Sequence, residues 1–377
     1  MNVCEVMSAP YPPSEGIGNY VCNLSRGLAK RGHEVTVITR GSLKASPREF
    51  EGEIEVLKPR FVPLYPFHIG IHGFYASKLF KSIEEKFDIV HYHTPLPPPL
   101  ETSLPVVTTV HTPMLEDTRQ MELVNLQSAL AKVMGRLVSY PLELKLLNRS
   151  DMITAVSNSV AEELQEYGVN LGACRVMGNG VDERRFIPAE RERDHDLVLF
   201  VGRLSYRKGL FDLVEAARKV IDAHPRTRFI IVGKGDLRKM VLRKAEKLGL
   251  KDSFSLPGHV DDRTLIELYQ KASVFSLPSH YEGLPTVLLE AMSCGSPVVA
   301  TAVSGNLDVI SNNENGILVP ARSPERLAGG ISMLLDDDSM RNRLGKNARR
   351  TIEERYTWDA IVENFLGCYR SLLGIGL

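Results

Sequence analysis

The sequence predicts an α/β protein made of two open parallel sheets in tandem. Three observations carry this. The chain has 377 residues, more than one hydrophobic core usually organises. Short β-branched runs alternate with glycine-bearing loops and amphipathic helices, the rhythm of parallel strands buried on both faces. That rhythm stops at a charged stretch, Ile187 to Asp196, and then restarts.

In the first half, Val3–Met7 reads as a strand, followed by a loop with Pro10, Pro12, Pro13, Gly16 and Gly18 and a helix over about 19–31. Strands follow at Glu34–Thr39, Ile54–Leu57, Ile89–His93, Val106–Val110 and Met152–Val156. After the charged stretch come strand Leu197–Val201, helix Leu210–His224, strand Arg228–Val232, helix Leu237–Leu248 and strand Ser253–Leu256. The series continues with helix 262–272, strand Val274–Leu277, helix Pro285–Cys294, strands Val298–Thr301 and Gly316–Val319, and helices from Pro324 and over Trp358–Leu373. Sheets of this kind hold ligands beyond the carboxyl ends of their strands, here in a cleft between the two.

Composition narrows the function. Lys plus Arg and Asp plus Glu are both 46, so the basic excess expected of a nucleic-acid binder is missing. Five scattered cysteines without a C-x-x-C pair predict neither a disulfide framework nor a structural zinc site. No apolar run reaches the ~20 residues that cross a bilayer. The acidic start Met1–Val6 does not read as a signal peptide, so the expectation is a cytoplasmic protein. A basic amphipathic stretch, Leu126 to Leu147, with Lys132, Arg136 and Lys145 among leucines, is a candidate for peripheral contact with the inner face of a membrane or for packing on its own domain. Pro141 is expected to break or kink it.

The segment Ser279 to Gly295 is the most informative. Pro285 suits a first helical turn and Gly295 a left-handed cap, which puts Glu282 before the helix and Glu290 in its second turn. The amides around Leu284, Thr286 and Val287 lie between the two carboxylates and form a candidate anion site. Exposed glutamates complementing the helix dipole are the competing reading. An anion there needs cations, and Arg203 and Lys208 follow the first strand of the second half. Arginine offers phosphate a bidentate fork and lysine a mobile charge. Gly16-Ile17-Gly18 and Gly233-Lys234-Gly235 are βα turns that allow close backbone approach, although Val21 breaks a dinucleotide fingerprint in the first. His93 and His111 end strands of the first half, where a neutral imidazole can donate a hydrogen bond or act as acid or base. Metal ligation by His91, His93 and His111 is disfavoured, since no carboxylate stands at ligand spacing. Asp194-His195-Asp196 and Asp336-Asp337-Asp338 read as solvated charge.

Glu282 to Glu290, E-G-L-P-T-V-L-L-E, resembles the E-x7-E signature of family 4 retaining glycosyltransferases of GT-B fold. Val201-Gly202-Arg203-Leu204 with Lys208-Gly209 is similar to that family's phosphate-clamping motif, and Asn179-Gly180-Val181-Asp182 and Asn315 to Val319 match further family segments. The resemblance implies two Rossmann-like, doubly wound domains facing a central cleft: an acceptor-side domain, 1–188 with the terminal helix 359–377 crossing back, and a nucleotide-sugar domain, 189–358. Arg203 and Lys208 would hold the donor diphosphate with the amides of Leu284 and Thr286, and Gly283 and Pro285 would belong to the same donor-binding loop. Glu290 would bind the ribose, Glu282 the donor sugar, and His259 and Val260 the nucleobase. Gly16 and Gly233 would approach the diphosphate closely, and His111 would hydrogen-bond the transferred sugar.

The resemblance thus implies a metal-independent, retaining transferase that moves a sugar from a UDP- or GDP-sugar to a hydroxyl of a lipid, glycan or small molecule, with no cofactor. Rival readings are a sugar-nucleotide epimerase of the same fold, a non-catalytic nucleotide-sugar binder, and a nicotinamide dehydrogenase.

Overall fold

A computed structural model describes residues 1–13, 16–43, 48–64, 67–120, 126–189 and 193–375. Two compact units result, one made of Met1–Asn179 with Trp358–Leu377 and the other of Gly180–Thr357.

The first unit holds strands β1 (Asn2–Val6), β2 (Glu34–Ile38), β3 (Arg48–Glu51), β4 (Ile54–Leu57), β5 (Ile89–His93), β6 (Val106–Val110), β7 (Met152–Ala155) and β8 (Cys174–Val176). Their order is β3-β4-β2-β1-β5-β6-β7-β8, parallel except for β3 against β4. Its helices are α1 (Gly16–Ala29), α2 (His68–Lys81), α3 (Met114–Gln120), α4 (Leu126–Met134), α5 (Tyr140–Leu147) and α6 (Asn158–Glu163). The second unit holds β9 (Asp194–Val201), β10 (Arg228–Val232), β11 (Phe254–Gly258), β12 (Ala272–Leu277), β13 (Val298–Thr301) and β14 (Ile317–Val319), a parallel sheet ordered β11-β10-β9-β12-β13-β14. Its helices are α7 (Leu210–Ala223), α8 (Arg238–Lys247), α9 (Asp262–Lys271), α10 (Thr286–Ser293), α11 (Ser304–Val309), α12 (Pro324–Asp336) and α13 (Asp338–Arg355). The last helix, α14 (Trp358–Leu373), rejoins the first unit.

Central strands are covered on both faces: all six residues of β12 and all five of β6 are buried, their serines and threonines included. α14 lies against α1 so closely that a Cβ on Gly27 would stand 2.4 Å from Val362 Cγ2. Arg31 secures the same contact through Glu363 at 2.6 Å and Asp359 at 3.0 Å.

Strand order reverses between β1 and β5 in one sheet and between β9 and β12 in the other. At such a switch point the loops leaving neighbouring strands diverge and open a crevice above the sheet. Each unit gathers ionisable side chains at its own switch point.

Several elements depart from the sequence expectations. Residues 180–188 group with the second unit: Val181 pairs with Thr357, and Arg349 donates to the Glu183 and Phe186 carbonyls at 3.0 and 2.8 Å. Asp194-His195-Asp196 is not linker charge; it starts β9, where Asp194 ion-pairs with Arg228. Asp337 caps α13, accepting from the Met340 amide at 2.8 Å. The stretch from 126 to 147 keeps winding past Pro141, which sits in the first turn of α5. The irregularity comes earlier, as one wider turn at Gly135–Ser139, where a Cβ on Gly135 would press on Thr118. Strand β3, R-E-F-E, has no apolar run to announce it. All five cysteines are buried and unpaired.

Candidate active site

In the second unit the loops leaving the strands are stitched into one ledge. The Gly233 amide donates to Gly258 O at 2.8 Å, Gly202 to Val232 O at 3.0 Å and Leu204 to Lys234 O at 2.8 Å. On the far side of β9, His280 donates to Arg207 O at 2.7 Å and Gly305 to Glu282 O at 3.0 Å. Two glycines are required for this closeness. At Gly233, φ is +142° and a Cβ would stand 1.9 Å from Gly202 O. A Cβ on Gly305 would stand 2.0 Å from Gly283 O.

The switch point of this sheet carries charge. Lys208 follows β9 and Glu282 follows β12, and the structure brings them together: Lys208 Nζ to Glu282 Oε1 is 2.5 Å. The same oxygen accepts from Ser279 Oγ at 2.6 Å. Glu282 is buried, so its charge needs these donors. The pair is neutral as a unit, and Arg203, exposed in the loop that carries Lys208, adds a positive charge to that loop. Next door, His280 Nε2 meets Asp212 Oδ2 at 2.8 Å and is thereby fixed in orientation.

Helix α10 begins just after Glu282. Pro285 is its N-cap with extended backbone and no side chain caps it, so the first-turn amides of Thr286 and Val287 have no intrahelical acceptor. Gly283 is part-exposed, whereas Leu284 and Pro285 are buried. Glu290 sits one turn further along, where its Oε2 accepts from Tyr269 Oη at 2.8 Å. Burial pushes the Glu290 carboxyl up to about 7, against the Tyr269 hydrogen bond and the charge of Arg185. The side chain still keeps part of its surface open. His259 is exposed and Val260 half-buried, just past β11. Lys208, Glu282, Gly233 and the α10 amides therefore gather at the ends of β9, β10 and β12, with His259 and Val260 at the outer end of the ledge. Sequence reasoning missed Ser279, Tyr269, Arg185 and Gly305. Only Ser279, three residues before Glu282, had a local signal.

The first unit has its own cluster at its own switch point. Gly16 opens α1 with nothing within 4 Å of a would-be Cβ. His111, just past β6, is nearly enclosed, its ring edge-on to Tyr20 with centroids 4.6 Å apart. Its Nε2 lies 3.3 Å from His93 Nδ1, and His93 Nε2 lies 2.6 Å from Glu5 Oε2. His91 Nδ1 is 3.1 Å from the same Glu5 oxygen and 2.6 Å from Tyr369 Oη. This corrects the sequence reading in two ways. His93 is wholly buried rather than open at the strand end, and a carboxylate does accompany the histidines. It comes from β1, 86 positions before His91, so no spacing rule could reveal it. The local signal was the acidic residue inside the apolar strand Asn2–Val6. Burial would raise the Glu5 pKa, but the charge and hydrogen bonds of His91 and His93 bring it down to about 2. Burial and the neighbouring His91 push His93 down to about 4 despite Glu5, and burial with His93 and His91 takes His111 well below the ordinary range.

Among the described residues no helix is long and apolar enough to cross a membrane. Leu130, Val133 and Leu137 are more than half exposed on one side of the α4 segment.

Comparison with known proteins covers nearly the whole chain. Residues 14–185 match the family described as Glycosyltransferase Family 4, and residues 182–351 match Glycosyl transferases group 1. A D-inositol 3-phosphate glycosyltransferase of Xylanimonas cellulosilytica is 31% identical, the match covering 94% of this chain and 91% of that one. A sucrose-phosphate synthase from Thermosynechococcus elongatus superposes with a TM-score of 0.84 at 22% identity over the full length of both chains. The Anabaena protein HepE, solved in complex with UDP-glucose, gives a TM-score of 0.74 at 17% identity over 98% of this chain and all of that one. Both likenesses place the fold in the GT-B class.

Proposed function

The chain belongs to glycosyltransferase family 4, and from that membership we propose that it moves a sugar from a nucleotide diphosphate sugar to a hydroxyl acceptor, with retention of configuration and without a metal ion. The observation that carries the reading is the conjunction of Lys208, Glu282 and the uncapped α10 amides at the β9/β12 switch point. A diphosphate leaving group needs positive charge and aligned N–H donors, and both are concentrated there. Such preorganised groups usually supply the largest catalytic contribution, because they need no reorganisation as charge develops.

In this reading Arg203 and Lys208 receive the departing diphosphate with the amides of Leu284 and Thr286, Gly283 and Pro285 shape the loop that presents those amides, and Gly233 permits close approach. Glu282 holds Lys208 in place and offers its free oxygen to the donor sugar. Glu290 takes the ribose hydroxyls, and the His259–Val260 backbone takes the base. From the first unit, Gly16 serves the diphosphate and His111 the transferred sugar. The leaving phosphate takes the acceptor proton on the face it departs from, which preserves anomeric configuration. HepE bound to UDP-glucose favours a uridine donor. The exposed Leu130, Val133 and Leu137 beside Lys132 and Arg136 favour a lipid acceptor reached at an anionic membrane surface.

The test is a thermal-shift screen of nucleotide sugars followed by NMR of the product. Binding at ~100 times Kd adds about 2.7 kcal/mol of stability. Turnover is expected to survive EDTA and to give a product with the donor's anomeric configuration. Loss of turnover on chelation, restored by Mg²⁺ or Mn²⁺, refutes metal independence, and an inverted product refutes retention. Conversion of the donor with no acceptor present points to an epimerase instead.

A further inference from the structure

From the chain of contacts behind His111 we infer that Glu5 and His93 are positioning residues that lock His111 as its Nε2–H tautomer, so that its Nδ1 presents a lone pair and accepts a hydrogen bond from a sugar or acceptor hydroxyl. The functional half of this rests on the proposed role of His111 in transfer. The tautomer half does not.

The argument follows the protons. An ionised carboxylate only accepts, so the 2.6 Å contact from His93 Nε2 to Glu5 Oε2 requires the proton on His93 Nε2. A neutral His93 then has a bare Nδ1. The 3.3 Å contact to His111 Nε2 can be filled only by a proton on that Nε2. A neutral His111 so protonated has a bare Nδ1, for which no hydrogen bond is found among the described residues. The reversed chain needs either a protonated Glu5 or an imidazolium at His93. Both are opposed: Glu5 is held down at about 2 and His93 at about 4.

The surroundings hold the arrangement. Tyr369 Oη of α14 engages His91 Nδ1 at 2.6 Å and lies 3.5 Å from Glu5 Oε1. His91 Nε2 meets Thr109 Oγ1 at 2.6 Å, and Thr109 meets Thr154 at 2.6 Å. The Tyr20 ring of α1 packs on His111, and Phe365 of α14 stands 5.1 Å from His91. Cys4, beside Glu5, has its thiol pushed up by burial and by that carboxylate, so it stays neutral. No other charged group faces His111 among these contacts. Glu5, His91 and His93 are close enough to share a cation. Each nitrogen of both histidines, however, already has a hydrogen-bonding partner.

The consequence is a selectivity rule. A lone pair accepts from a hydroxyl and repels a phosphate or carbonyl oxygen, so neutral His111 serves a hydroxyl of the reacting sugars and not the diphosphate. Replacing that hydroxyl with fluorine removes the donor and leaves two electron-rich atoms facing each other.

The experiment uses the full chain labelled with ¹⁵N-histidine. Long-range ¹H–¹⁵N spectra at pH 7 are expected to show His93 and His111 both neutral and both protonated at Nε2. A His111 carrying its proton on Nδ1, an imidazolium there, or purified protein holding stoichiometric zinc overturns the inference. Glu5→Gln frees the chain from an acceptor-only partner, so an Nδ1–H population of His111 is expected to appear. With it kcat should fall about tenfold while donor KM changes little. A shifted tautomer with unchanged kcat overturns the link to transfer. Absence of any transferase activity overturns the proposed function and leaves the spectra as the judge of the tautomer.

Discussion

Glu290 provides the sharpest quantitative expectation, because binding and stability pull it in opposite directions. Its folded pKa is raised to about 7 from an unfolded value of 4.5, so the fold favours the protonated form. The stability this gives is complete below pH 4.5 and is lost as pH rises through 4.5 to 7. The difference of about 2.5 units corresponds to ~3 kcal/mol at pH 8. The open part of the side chain screens some of it, leaving roughly 1–3 kcal/mol. Glu290→Gln keeps the shape and the Tyr269 contact but never ionises. It should therefore be more stable than wild type at pH 8 by that amount, a rise of about 2–10 °C in melting temperature for a domain of this size. At pH 5 the advantage should shrink to below ~1 kcal/mol. The same variant should bind donor more weakly by ~10-fold or more, since a carboxylate accepting from two vicinal hydroxyls is replaced by an amide. The assay is calorimetry at the two pH values beside donor titration. A variant less stable than wild type at pH 8, or one with an equal shift at both, would refute the reasoning about burial. Unchanged donor affinity would refute the ribose assignment.

Other substitutions probe the same geometry. Lys208→Met strands the buried Glu282 charge and should cost about 3–5 kcal/mol, whereas Lys208→Met with Glu282→Gln should recover most of that stability without recovering turnover; equal melting of all three proteins would contradict the pairing. Arg203→Ala or Lys208→Ala is expected to lower kcat/KM by ~10²-fold or more, which steady-state kinetics can check. Gly305→Ala forces its Cβ onto Gly283 O and should raise donor KM while costing ~1–3 kcal/mol; a neutral variant would mean the loop yields freely. In the first unit His93 favours its neutral form, so its contribution is present above pH 6.5 and lost as pH falls through 6.5 to 4, up to ~3 kcal/mol. The fluorescence of Trp358, packed on Tyr20 at 5.2 Å, should report that loss during denaturation, and His93→Gln should flatten it.

The second half of the site was legible in the sequence because its parts are local. Glu282, Pro285 and Glu290 fall within one loop and one helix, and Arg203 and Lys208 within one loop, so their places could be read from local sequence while their roles were implied by the family resemblance. The parallel strands were legible for a similar reason: burial on both faces leaves a run of apolar side chains that needs no partner to be recognised. Strand β3 escaped because an exposed edge strand of four residues writes no such run. Tertiary structure decided which charges meet. Lys208 and Glu282 are 74 positions apart. The chain from Glu5 through His93 to His111 crosses three strands adjacent in the sheet but remote in sequence. A sequence states that an acid and three imidazoles exist. Only strand order, which sets β1, β5 and β6 side by side, brings them within hydrogen-bonding distance in the sheet interior.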